Sequence, residues 1–144
     1  MRLNRLNILL AAVILGCSQS TEPVHLKGTY RLNDIDGRTL PTPPAFTPGL
    51  TPTIVSSEVV LHDDGTATVT DHRIEWNGVD NVLTYWYTYT ISGLDISFVV
   101  PPCPPDAICA WDNSVGISGK IIGDNLSLIR GHVNEDPIVY HYHS

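Results

Sequence analysis

From Leu26 onward the chain is a succession of short β-rich runs, each stopped by a glycine-bearing turn, and this punctuation constrains the fold more than any other feature. Asp36-Gly37, Asp64-Gly65 and Asn77-Gly78 are dipeptides suited to tight hairpins, and Gly93 and Gly123 mark further turns. Nothing in this region has apolar residues at the three-to-four spacing of an amphipathic helix. The pattern predicts strands over 26–35, 54–62, 66–76, 82–92, 94–100, 115–122, 126–133 and 138–143, with a short arm ending at Leu40 after the first turn. The run Leu83-Thr84-Tyr85-Trp86-Tyr87-Thr88-Tyr89-Thr90-Ile91 has the strongest β composition, being aromatic and β-branched almost throughout.

Eight strands joined mostly by tight turns predict an all-β fold, an eight-stranded antiparallel up-and-down barrel, because closure removes the edges an open sheet would expose. A flattened β-sandwich is the alternative. Alternation gives an inward face to Val59 and Leu61, Tyr87, Tyr89 and Ile91, Leu94, Ile96 and Phe98, Ile117 and Ile121, Leu126 and Leu128, and Ile138, Tyr140 and Tyr142. Trp86 falls on the opposite face. A final strand over 138–143 that pairs back to the first would satisfy both open edges at once. The Pro-rich loop 41–52 is rigid and partly apolar, with Phe46 and Leu50 available to cap the barrel or meet a partner.

The N-terminus carries a separate signal. Met1-Arg2-Leu3-Asn4-Arg5 is basic, Ile8 to Leu15 is apolar, and a small residue precedes Cys17, which is the layout of a secretory signal. The apolar run is far short of the ~20 residues a membrane-spanning helix needs. Ile14-Leu15-Gly16-Cys17 resembles a bacterial lipobox, whose cysteine is acylated (palmitate among its chains) and becomes the first mature residue. An ordinary signal peptide with an unrelated cysteine is the other reading. The lipobox divides the chain into a signal peptide 1–16, lipidated Cys17 with a polar tether to residue 24, and a barrel domain 25–144. It implies lipid anchoring in the bacterial cell envelope, and Ser18 in place of aspartate after the cysteine implies the outer membrane. Several acyl chains hold a protein on a membrane where one is marginal, so no basic patch is needed.

Removal of the signal leaves about 128 residues, enough for one domain with a real core. It also removes Arg2 and Arg5, so six Lys and Arg face fifteen Asp and Glu. Such a chain repels phosphate backbones, which argues against nucleic acid as a partner. With Cys17 lipidated, Cys103 and Cys109 remain, separated by five residues in a proline-rich segment. In an oxidising envelope they can pair and close a small ring worth roughly 2 kcal/mol. Two thiols with no second pair nearby are too few for structural zinc.

Gly28-Thr29-Tyr30, Asp36-Gly37-Arg38-Thr39-Leu40-Pro41, Leu61-His62-Asp63-Asp64-Gly65-Thr66 and Gly119-Lys120-Ile121-Ile122-Gly123-Asp124-Asn125-Leu126-Ser127-Leu128 together resemble the small lipocalin-like (calycin-type) β-barrel lipoproteins of bacterial envelopes. The likeness covers most of residues 25–133 and lies in turn and strand motifs. Gly28-Thr29-Tyr30 is similar to the Gly-x-Trp that opens true lipocalins. The other lipocalin signatures and the C-terminal helix have no counterpart here. The resemblance implies a ligand-binding fold and brings no catalytic residues with it.

Two functions follow. In the first, the barrel takes a small apolar or amphipathic ligand through its mouth, lined by Tyr87, Tyr89, Tyr140 and Tyr142. In the second, the barrel is packed shut and its outer loops and Trp86 form a structural or protein-interaction surface. No Gly-x-Ser-x-Gly, His-Glu-x-x-His or phosphate-cradling loop is present, so the protein is expected not to be an enzyme and no cofactor is expected. His141 and His143 share a strand face and could hold zinc or copper with His132 or a carboxylate, but no third ligand has a diagnostic spacing and they read as surface histidines. His62-Asp63-Asp64 and Asp71-His72 could orient an imidazole for base catalysis, but they read as solvated residues at turns and strand ends. Asp34 and Asp36 suggest the start of a calcium loop that lacks its later carboxylate, and a hairpin turn accounts for them.

Overall fold

The structure, a computed structural model, describes residues 26–43, 51–102, 117–130 and 137–144. Cys17, Cys103 and Cys109 lie outside these residues, and so do the lipidation and the disulfide predicted for them; Phe46, Leu50 and His132 do as well. The described residues form nine strands and no helix: β1 (Gly28–Ile35), β2 (Arg38–Thr39), β3 (Thr53–Leu61), β4 (Thr66–Ile74), β5 (Asp80–Ser92), β6 (Asp95–Val99), β7 (Ile117–Ile122), β8 (Asn125–Arg130) and β9 (Ile138–His143). Every ladder is antiparallel. β1 pairs with β3, each later strand pairs with the next, and β9 returns to β1 through Leu32↔Tyr142 and Ile35↔Tyr140. The ring is therefore a closed eight-stranded barrel rather than a sandwich, and the small strand β2 hangs outside it, paired only with β1.

The turns form as their residues dictate. Asp64 Oδ1 accepts hydrogen bonds from the backbone N–H of Thr66 at 2.9 Å and its hydroxyl at 2.6 Å, fixing the β3–β4 hairpin beside Gly65 (φ 81°). Those same bonds hold the Asp64 carboxyl below its usual pKa. The β3–β4, β5–β6 and β7–β8 turns share one end of the barrel. At the opposite end β4 and β8 finish and β5 and β9 begin.

The interior is filled by period-two rows from every strand of the ring. Tyr89, Tyr142, Ile35, Leu61, Ile96, Leu126, Leu128, Val59 and Val69 are wholly enclosed, and Tyr30, Leu32, Ile54, Phe98, Ile117 and Ile121 are buried beside them. Phe98 lies edge-on to Tyr87, with centroids 5.8 Å apart, and tilted against Tyr89 at 6.3 Å. Ile91 and Ile138 are half-buried against this cluster. Leu94 departs from expectation: it is 55% exposed. Ser92↔Asp95 is the last pair of the β5–β6 ladder, so Gly93 and Leu94 are both consumed by the turn. Trp76 is likewise beyond its strand, in the β4–β5 turn.

Gly119 on β7 is set by a close approach. A Cβ there would lie 1.9 Å from the Ser127 carbonyl oxygen on β8, so no other residue fits without parting the two backbones.

Candidate functional site

Three inward rows end in polar groups that meet inside the barrel. On β3 the row is Ser57, Val59, Leu61; on β4 it is Ala67, Val69, Asp71; on β8 it is Leu126, Leu128, Arg130. Arg130 Nη2 lies 2.7 Å from Asp71 Oδ2 and Nη1 3.2 Å from Oδ1, a two-pronged pair whose side chains are only 15% and 5% exposed. The Ser57 hydroxyl donates to Asp71 Oδ1 at 2.5 Å and lies 3.1 Å from the Tyr142 hydroxyl, which accepts from Arg130 at 3.4 Å. The guanidinium sits 4.8 Å from the centroid of the Tyr140 ring. No buried side-chain polar atom among the described residues is left without a partner.

The electrostatics follow from enclosure. Burial on its own would favour loss of the Arg130 proton, but Tyr142 and Asp71 outweigh it and hold that proton more firmly than usual. Burial pushes the Tyr140 phenol up to about 12 and raises Tyr142 and Tyr87, with Arg130 pulling each of them back.

The four predicted ligand-lining tyrosines do all point inward, yet they do not form one mouth. Tyr140 and Tyr142 touch Arg130, and Tyr87, packed on Phe98, feels its charge. Tyr89 is at the end of the β3–β4 turn, where its hydroxyl donates to the carbonyls of His62, at 2.7 Å, and Leu26. Asp71 overturns the expectation of a solvated residue: it is mid-strand, faces the interior, and is neutralised by Arg130. Its neighbour His72 faces outward and bonds Asp80 at 2.6 Å. The parity of the rows was the available signal for Ser57, Asp71 and Arg130, and their polarity concealed it.

The other candidates lie where solvent reaches them. Asp34 Oδ1 accepts from Gly37 N–H at 2.9 Å, and Asp36 Oδ1 from Val139 N–H at 2.8 Å, so both serve the first turn. His141 and His143 are on the outer wall of β9. No three His, Cys, Asp or Glu among the described residues are placed to close on a metal ion.

Fold and site together define a closed antiparallel barrel with a charged, hydrogen-bonded cluster in its interior. Comparison with known proteins finds no family model, no curated relative and no solved structure that matches the chain.

Proposed function

We propose that this is a non-enzymatic, lipid-anchored protein of the bacterial outer membrane, whose packed barrel is a rigid scaffold that meets protein partners through its outer wall. The observation that carries the reading is the filled interior. An eight-stranded barrel is just wide enough either to be filled by side chains or to hold one small ligand, and here the tyrosines expected to line a ligand are packed or hydrogen-bonded to the protein itself. Anchoring draws its support from Ile14-Leu15-Gly16-Cys17 and the secretory layout before it. Kinship with lipocalin-like lipoproteins draws its support from the turn and strand motifs of the sequence. Trp76, Val79 and Val82 around the β4–β5 turn are exposed and give the outer wall an apolar strip of the kind partners use.

A second reading draws on the buried cluster. Charged side chains are rarely enclosed, and Arg130 with Tyr140 and Tyr142 could receive the polar end of an amphipathic ligand. Titration of the purified protein with a fluorescent fatty-acid analogue separates the two. The scaffold reading expects no saturable binding; saturable binding that disappears in Tyr140→Ala would replace it with the second. Anchoring has its own check: Cys17→Ala is expected to move the protein from the membrane to the soluble fraction.

A further inference from the structure

The outer wall of a barrel is convex, so its side chains splay apart and few of them converge. Between β1 and β9 the wall is hollowed instead. The register runs Arg31↔His143 and Leu32↔Tyr142, then jumps to Asp34↔His141, leaving Asn33 as the extra residue of a bulge. Bulges bend a strand and re-aim its side chains. Just beyond, Asp36 is held at φ 50°, a left-handed conformation uncommon outside glycine. Its N–H donates to Val139 O and its carboxylate accepts from Val139 N–H, both at 2.8 Å, so β9 fixes the distorted segment in place.

The product is an open groove of about 540 Å³ lined by Asn33, Asp34, Gly37, Asn125, His141, Tyr142 and His143. Its size falls within the ~300–1,000 Å³ typical of small-molecule sites. The polar groups are oriented by one another. Asn33 Nδ2 donates to Asp34 Oδ2 at 3.2 Å, His141 Nδ1 lies 3.2 Å from Ser127 Oγ, and His143 Nδ1 lies 3.3 Å from Asn125 Oδ1. His141 Nε2 points toward Asp34 at 4.0 Å.

This lining selects a ligand class. It contains Asp34 and no Lys or Arg, so an anionic ligand meets repulsion. No aliphatic side chain lines it. Two amides, a carboxylate and two imidazoles supply closely spaced donors and acceptors, the complement of adjacent hydroxyl groups. We propose that the groove binds a neutral saccharide, with Asn33, Asp34 and Asn125 hydrogen-bonding its hydroxyls and His141 and His143 forming the floor. The site is outside the barrel, so it stands whether or not the interior accepts a ligand.

The full-length protein in detergent is to be screened on immobilised neutral oligosaccharides built from glucose, galactose and N-acetylhexosamines, with sialylated and sulfated glycans as contrast. The best neutral sugar is then titrated by NMR, both free and as a glycolipid headgroup in vesicles, which separates a soluble glycan from a lipid-borne one. Retention of neutral glycans is expected, with shifts centred on the seven lining residues. Asn33→Ala and Asn125→Ala should each weaken binding about tenfold, as loss of a ligand hydrogen bond does, and His72→Ala on the other wall should leave it unchanged. Retention of no neutral glycan, retention of anionic glycans only, or neutral binding that survives the Asn33→Ala, Asn125→Ala double variant overturns the proposal. Circular dichroism of the variants verifies the fold; both positions are exposed and outside the core.

Discussion

Asp71 and His72 are neighbours on β4, and each makes a polar side-chain contact of almost the same length, 2.7 Å to Arg130 and 2.6 Å to Asp80. Strand geometry sends one inward and the other outward, and that single difference sets what each pair is worth. The side chains of the outer pair are 36% and 68% exposed. Solvent screens such a pair to about 0–1 kcal/mol. The inner pair has exchanged its water for Ser57, Tyr142 and Tyr140, so it matters chiefly when half of it is missing. The lesson applies to the whole molecule: in this barrel the face of the strand, more than the distance between partners, decides the energetic consequence of a residue.

That contrast is tested most severely at Gly119, where the inner face and the β7–β8 ladder meet. Gly119→Ala drives a Cβ into the Ser127 carbonyl and is expected to cost more than about 4 kcal/mol, seen as loss of the cooperative unfolding transition or of soluble protein. Next comes the inner pair. Arg130→Met or Asp71→Leu alone should destabilise by about 3–5 kcal/mol in denaturant unfolding, whereas the double variant should recover most of that loss. If the double variant is no better than the singles, the cluster's value is not that of a compensated charge pair.

Tyrosine titration sharpens the comparison further. The folded Tyr140 phenol is raised to about 12 by burial, above its ordinary value of 10.0. A raised folded value means that its contribution is complete below the unfolded pKa and is lost as pH climbs through the folded one. Stability should therefore hold to about pH 10 and fall between about 10 and 12, and Tyr140→Phe should flatten that fall. The thermal midpoint followed against pH, with phenolate absorbance alongside, measures it. The smallest effect belongs outside: Arg31→Ala removes an exposed pair with Glu58 at 3.4 Å and should change stability by less than about 0.5 kcal/mol.

Much of the fold was legible because turn chemistry and alternation agree along most of the chain. Asp64-Gly65 and Asn77-Gly78 set the hairpins, and the rows through Tyr87, Leu126 and Tyr140 set the inner face. Leu94 misled because alternation cannot say where a strand yields to its turn. The interior cluster was missed for a different reason. Asp71 and Arg130 obey the same parity as Val69 and Leu128, but a charge reads as solvent-facing until its partner is known, and that partner comes from a strand far away in sequence. The groove beside β9 was less legible still. His141 and His143 mark a face, while the bulge at Asn33 that brings Asp34 beside them has no sequence signature.

The closure of the ring by β1 and β9 bears on how the chain reaches its native state. The ladders from β3 to β9 join strands in sequence order and can form as each pair becomes available. The one between Arg31 and His143 joins opposite ends of the described chain. Pairings so distant in sequence carry the largest loop-closure cost and make folding slow. Until residues 138–143 arrive, β1 and β8 each present an unsatisfied backbone edge to whatever other chains are nearby. Any delay in delivering that last strand lengthens the interval in which two immature copies can pair with each other instead of with themselves.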